Sequence, residues 1–152
     1  MSNFSTVQDL LLHNQQLHGR ITEFYRELAL KASCEQVKIL LHLLAQHENK
    51  LMTSLGEYIA KAPANVLNTF YQFDRQQNVE KLFITQAQPN QMSSDEVDII
   101  AQRIDEYFSQ LYQQMVAAVE CDGVKDLFES LHQHMEEEKK RLSTDINSLQ
   151  DM

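Results

Sequence analysis

Apolar residues recur at helical spacing along most of the chain. From the start they run Val7, Leu11, Ile21, Tyr25, Leu28 and Ala32. Ser5 followed three residues later by Gln8 has the form of a capping box, so the pattern predicts a first helix over about 5–32. A second stripe runs Val37, Leu40, Leu41, Leu44, Leu51, Leu55 and Ile59. Ser33 with Gln36 supplies its cap, and the helix spans about 34–61. The joint between the two is too short for anything but an antiparallel hairpin.

The period is lost over 62–93. Pro63 ends the second helix, Asn78–Gln86 fits one short helix, and Pro89-Asn90 marks a turn. Phe70, Tyr71, Phe73, Phe83 and Ile84 argue that the segment packs on a core rather than hanging free. About 30 residues are enough to return along a helix ~40 Å long. Ser93-Ser94-Asp95-Glu96 then opens a helix over about 94–120, with Val97, Ile100, Ile104, Phe108, Leu111, Tyr112, Met115 and Val119 on one face. Asp122-Gly123 breaks the chain, and a last helix over about 123–149 carries Val124, Leu127, Phe128, Leu131, Met135, Leu142, Ile146 and Leu149. Its EEEKKR run reads as a solvated stripe.

The two hairpins repeat each other at an offset of 87 residues. Cys34 falls on Cys121, Val37-Lys38 on Val124-Lys125, Gln46-His47 on Gln133-His134, and Tyr25 on Tyr112. Residues 34–61 and 121–148 share nine identities over 28 positions, enough to read as a duplication. Two amphipathic hairpins bury their stripes against each other. The expected fold is therefore all-α: a single domain over 1–152, a four-helix bundle with a long crossover between its second and third helices. That topology puts Cys34 and Cys121 at opposite ends, too far apart for a disulfide.

Composition narrows the functional classes. Three Gly and two Pro in 152 residues exclude linker-like and turn-rich chains. Thirteen basic against 22 acidic residues give −9, a field that repels nucleic acid and anionic membranes. Two cysteines are too few for a disulfide framework. The first residues lack a signal-peptide pattern and no apolar run reaches membrane-spanning length, so a soluble cytoplasmic protein is expected. No phosphate loop, nucleophile elbow or zinc spacing occurs, and no catalytic residue is assigned.

Candidate chemistry comes from ionisable groups on the apolar stripes. Helical register turns His18, Glu48 and Glu138 inward and puts Asp105 at the edge of its stripe. Buried charges are costly unless they pair or bind an ion. A hydrogen-bonded core network with a His18–Glu48 ion pair is one outcome, and a metal site is the other. His47 and His134 fall one residue off the innermost position and suit interhelix contacts. His42 and His132 are expected at the surface or boundary. His13 and His18, five apart, do not share one metal. Tyr25 and Tyr112 read as core aromatics with partnered hydroxyls.

These residues give the chain a resemblance to the rubrerythrin and ferritin-like diiron-carboxylate family. It rests on Tyr25 with Leu28-Ala29 and Leu44-Ala45 in the first half, and on Tyr112 and Leu127-Phe128 in the second. It covers nearly the whole chain outside 62–93. Carried across, the family's first glutamate falls on His18, its helix 2 bridging glutamate on Glu48 and the following histidine on Leu51. The helix 3 glutamate falls on Asp105, the second bridging glutamate on Met135 and its histidine on Glu138. Both E-x2-H pairs are thus absent. What the resemblance implies is either no metal or a single divalent ion, Fe or Mn, on Glu48, Asp105 and Glu138 with His18 nearby. Two functions follow as expectations. One is a metal-poor structural or interaction protein that self-associates, most simply as a homodimer. The alternative is an iron- or peroxide-handling oxidoreductase with a remodelled carboxylate site.

Overall fold

The structure is a computed structural model that describes residues 6–71 and 79–150. The described residues are helical, without named strands. Four long helices dominate: α1 (Val7–Lys31), α2 (Glu35–Lys61), α4 (Ser94–Ala118) and α5 (Asp122–Gln150). A single turn, α3 (Ala64–Leu67), and two 3-10 turns, Val79–Phe83 and Pro89–Gln91, occupy the connection between α2 and α4. No described helix is long and apolar enough to cross a membrane.

The helix ends differ from the expected caps in two places. Thr6 caps α1: its hydroxyl accepts from the Asp9 N–H at 3.2 Å, and the Asp9 carboxylate accepts from the Thr6 N–H at 3.3 Å. The reciprocal box therefore starts one residue later than Ser5–Gln8, and Ser5 lies outside the described residues. At α2 the N-cap is Cys34, with no side-chain cap bond. Ser33 donates instead to the Asn90 carbonyl at 2.6 Å, so its hydroxyl ties the hairpin joint to the crossover. The Ser93 cap of α4 is as expected, accepting from the Glu96 N–H at 3.3 Å. Gly123 lies inside the first turn of α5 rather than ahead of it.

Side-chain pairs fix the helix directions. His18 meets Glu48 and Gln15 meets Gly56, so α1 and α2 are antiparallel. Asp105 meets Lys139 and Ser109 meets His132, so α4 and α5 are antiparallel too. Tyr58 lies beside His134, while His47 shares a cleft with Glu138 and Arg141; α2 and α5 thus pass in opposite directions. Two of the three glycines sit where helices approach closely. A Cβ at Gly19 would come within 3.1 Å of the Met52 sulfur, and one at Gly56 within 2.7 Å of the Gln15 amide nitrogen. Buried Leu10, Leu11, Ile21, Tyr25, Leu41, Ile104, Phe108, Tyr112, Met115 and Phe128 form the central core.

The crossover follows the bundle from one end to the other. The Val7 N–H bonds the Thr69 carbonyl at 3.0 Å near its start, and Ser33 holds Asn90 near its finish. Between them the turn Val79–Phe83 is strapped to two helices. Arg20 of α1 reaches Glu80 at 2.7 Å and stacks its guanidinium over Phe83 at 4.1 Å. Arg103 of α4 donates to the Lys81 carbonyl at 2.8 Å. The expected core anchoring is only partly right. Phe83 and Tyr71 pack against the core, but Phe70 and Ile84 are 76% and 56% exposed. Val66, Leu82 and Met92 do the anchoring instead, while Phe73 lies outside the described residues. The single-turn helix after Pro63 is too short to leave a periodic signal.

Cys34 and Cys121 are free and exposed. Cys121 lies beside Gly123 and Val66, near the end where α1 begins, and Cys34 sits at the opposite end, where α1 finishes. The length of α1, about 37 Å at 1.5 Å per residue, separates them.

Candidate functional site

The stripes predict His18, Glu48 and Glu138 inside the core and Asp105 at its edge. His18 and Glu48 lie fully inside, with side chains 2% and 5% exposed. Their helical phase explains this. His18 falls one turn from Asn14 and from Thr22 on the buried face of α1, and Glu48 falls between Leu44 and Leu51 on α2. Imidazole Nδ1 and carboxylate Oε2 stand 2.6 Å apart. A carboxylate only accepts, so the Nδ1–H donates. Phe108 from α4 lies flat against the imidazole, ring centroids 4.0 Å apart and planes 16° from parallel. Thr22 returns its hydroxyl to the His18 carbonyl at 2.8 Å, which closes the helix around the pair.

The other two carboxylates take different partners. Asp105 is only partly buried and accepts from Lys139 of α5 at 2.8 Å. That bond is the main cause of the raised pKa of the Lys139 ammonium, against the opposing effect of partial burial. Glu138 is buried, but its carboxylate turns along its own helix to Arg141 at 2.8 Å. Among the described residues, no three His, Cys, Asp or Glu side chains come together in a cluster able to hold a metal ion. The structure therefore brings His18 and Glu48 together and gives Asp105 and Glu138 cations of their own. Lys139 and Arg141 come from the charge run that reads as solvated; Arg141 lies three residues from Glu138, a local pairing distance, whereas nothing local marks Lys139 as the partner of Asp105.

The four groups still share one electrostatic neighbourhood. His47 lies beside them, and burial holds its imidazole below the ordinary range. Glu48, Asp105 and Glu138 pull it up, and His18 pulls it down. Tyr25 is raised well above the usual phenol value, first by burial and then by Glu48, with Asp105 adding to the shift and Arg103 opposing it. The cleft between α2 and α5 that reaches this region, lined in part by His47, Lys50, Glu138 and Arg141, has a volume of about 10 Å³. That is room for about one water.

Two further polar features escape sequence reasoning. Asn14 is fully buried, one helical turn from His18, and neither atom of its amide finds a hydrogen-bond partner among the described residues. His134 has a buried Nε2 without a hydrogen bond and lies against the Tyr58 ring at 6.1 Å. Ser109 and His132 meet at 3.0 Å, with Glu136 at 3.8 Å, but both contacts are to the same Nε2. A catalytic triad needs its carboxylate on the other ring nitrogen, so this trio lacks the orientation for nucleophilic catalysis.

Comparison with protein-family models, with curated proteins and with solved structures finds no match for this chain.

Proposed function

We propose that this chain is a ferritin-like four-helix bundle that works as a structural or interaction module, with protein N–H donors standing where the related enzymes hold metal. The observation that carries this reading is the pairing of the inward carboxylates. Glu48 has His18, Asp105 has Lys139, and Glu138 has Arg141. An ion pair fulfils the same electrostatic need as a bound cation, since it compensates the desolvated carboxylate. A divalent ion would have to displace all three partners before it gained three ligands. The duplicated hairpins, the antiparallel pairs and the full-length crossover support the ferritin-like assignment. The cramped cleft supports a role other than turnover of a small molecule.

The test is elemental analysis of purified protein before and after aerobic loading with Fe(II) and Mn(II). The expected result is metal far below one equivalent, unchanged in Glu48→Ala. Near-stoichiometric metal that vanishes in Glu48→Ala would overturn the reading and establish the remodelled redox site in its place.

A further inference from the structure

A groove of about 520 Å³ lies between the crossover and α4. Ile84, Ala87, Met92 and Ile100 line it. Met92 and Ile100 are buried, whereas Ile84 is 56% exposed and Ile99, on its rim, is 62% exposed. Ile84 and Ile99 thus place two exposed isoleucines around one groove.

The charges that border the groove show what fits it. Glu96, Ile99, Ile100 and Arg103 follow one another at i, i+3, i+4 and i+7, so they form one stripe on α4. The stripe has a carboxylate at one end, a guanidinium at the other and two isoleucines between. Turned by 180° about the point between Ile99 and Ile100, it becomes its own complement. Each Glu96 then faces the other copy's Arg103, and each exposed Ile99 enters the mouth of the other copy's groove, beside Ile84 and above buried Ile100. That is the condition for an isologous contact. An unrelated partner would need the same alternation in the same order, whereas a second copy of this chain carries it by construction.

We propose that this face is the interface of a two-fold homodimer, with α4 lying antiparallel on α4 of the second copy. Arg103 is held ready for the contact, because its bond to the Lys81 carbonyl fixes the side chain across the crossover. A guanidinium has five N–H donors, so that bond leaves capacity for a carboxylate. The pairing also overcomes the repulsion between two chains of −9 by placing opposite charges at short range. With Ile99 and Ile84 as the exposed isoleucines of each copy, the interface belongs to the small, reversible class. The groove shares no residue with the three ion pairs, so oligomeric state and metal content are separable readouts.

The experiment is sedimentation equilibrium of the full chain from low micromolar to several hundred micromolar. The expected mass rises with concentration towards twice 17.7 kDa. Ile99→Lys stays monomeric throughout while keeping the wild-type helical circular dichroism, because the side chain it replaces is largely exposed. Arg103→Glu alone is likewise monomeric, and adding Glu96→Arg to it restores the dimer. A wild-type chain that stays monomeric over the whole range overturns the proposal and leaves the groove to a different protein. Dimerisation of Ile99→Lys at the wild-type concentration overturns it equally, since the contact would then use another face.

Discussion

His18 and Glu48 meet across the α1–α2 seam at 2.6 Å, and Phe108 from α4 seals the outer face of the imidazole. Three helices thus converge on one buried proton. The pair is isolated from water, so its value depends on both members being present.

Removing one member alone should be costly. Glu48→Ala leaves the buried His18 N–H without its acceptor and is expected to lower stability by about 1–3 kcal/mol. Replacing both together, His18→Leu with Glu48→Leu, should bring the loss to within about 1 kcal/mol of the wild type or reverse it. Urea denaturation of the two variants measures the difference. A double variant as unstable as the single one would show that the site needs its polarity.

Tyr25 predicts the alkaline limit of the fold. Its folded pKa lies above the ordinary value of 10.0, so between the two the native state holds a proton that the unfolded chain has lost. Its contribution is complete below pH 10 and declines as pH rises beyond it. Stability measured between pH 9 and 11.5 should fall less steeply in Tyr25→Phe than in the wild type. Identical slopes would remove Tyr25 as the cause.

Two glycines should respond to alanine with opposite signs. A Cβ at Gly56 meets only the far end of Gln15, which can swing aside, and alanine in a helix gains about 1 kcal/mol over glycine. Gly56→Ala should raise Tm by about 2–4 °C. A Cβ at Gly123 meets Cγ2 of Val66 at 3.0 Å, a β-branched, buried side chain that turns aside less readily than the end of a glutamine. Gly123→Ala should therefore destabilise by about 1–3 kcal/mol by forcing α3 away from α5. Thermal unfolding followed by circular dichroism reads both.

Asn14 offers a gain. Its amide is buried with no hydrogen-bond partner among the described residues, an arrangement that costs about 1–3 kcal/mol. Asn14→Leu keeps a similar shape and should stabilise the fold by much of that amount. A loss of stability on chemical denaturation would show that the amide has a stabilising partner, such as a buried water.

The sequence made part of the site legible. His18 and Glu48 interrupt apolar stripes, and the stripes alone placed them on facing surfaces of one hairpin. Asp105 and Glu138 had the same kind of signal, yet they found other partners. Lys139 is 34 residues from Asp105 and joins it only because α4 and α5 pack antiparallel in one register. The crossover was harder still. Its anchors Val66, Leu82 and Met92 have no period, and their burial follows from the helices they lie against.

What the sequence determined by itself is what depends on neighbours three or four residues apart. That covers the four long helices, their buried faces, the Ser93 cap and the duplication of the hairpins. The tertiary structure decided what depends on the offset between helices: which cation meets which carboxylate, where Arg20 and Arg103 strap the crossover, and which isoleucines stay outside. Local periodicity sets the rotation of each helix about its own axis. Only packing sets how far one helix slides along the next, and a slide of one turn, about 5.4 Å, exchanges every partner across the seam.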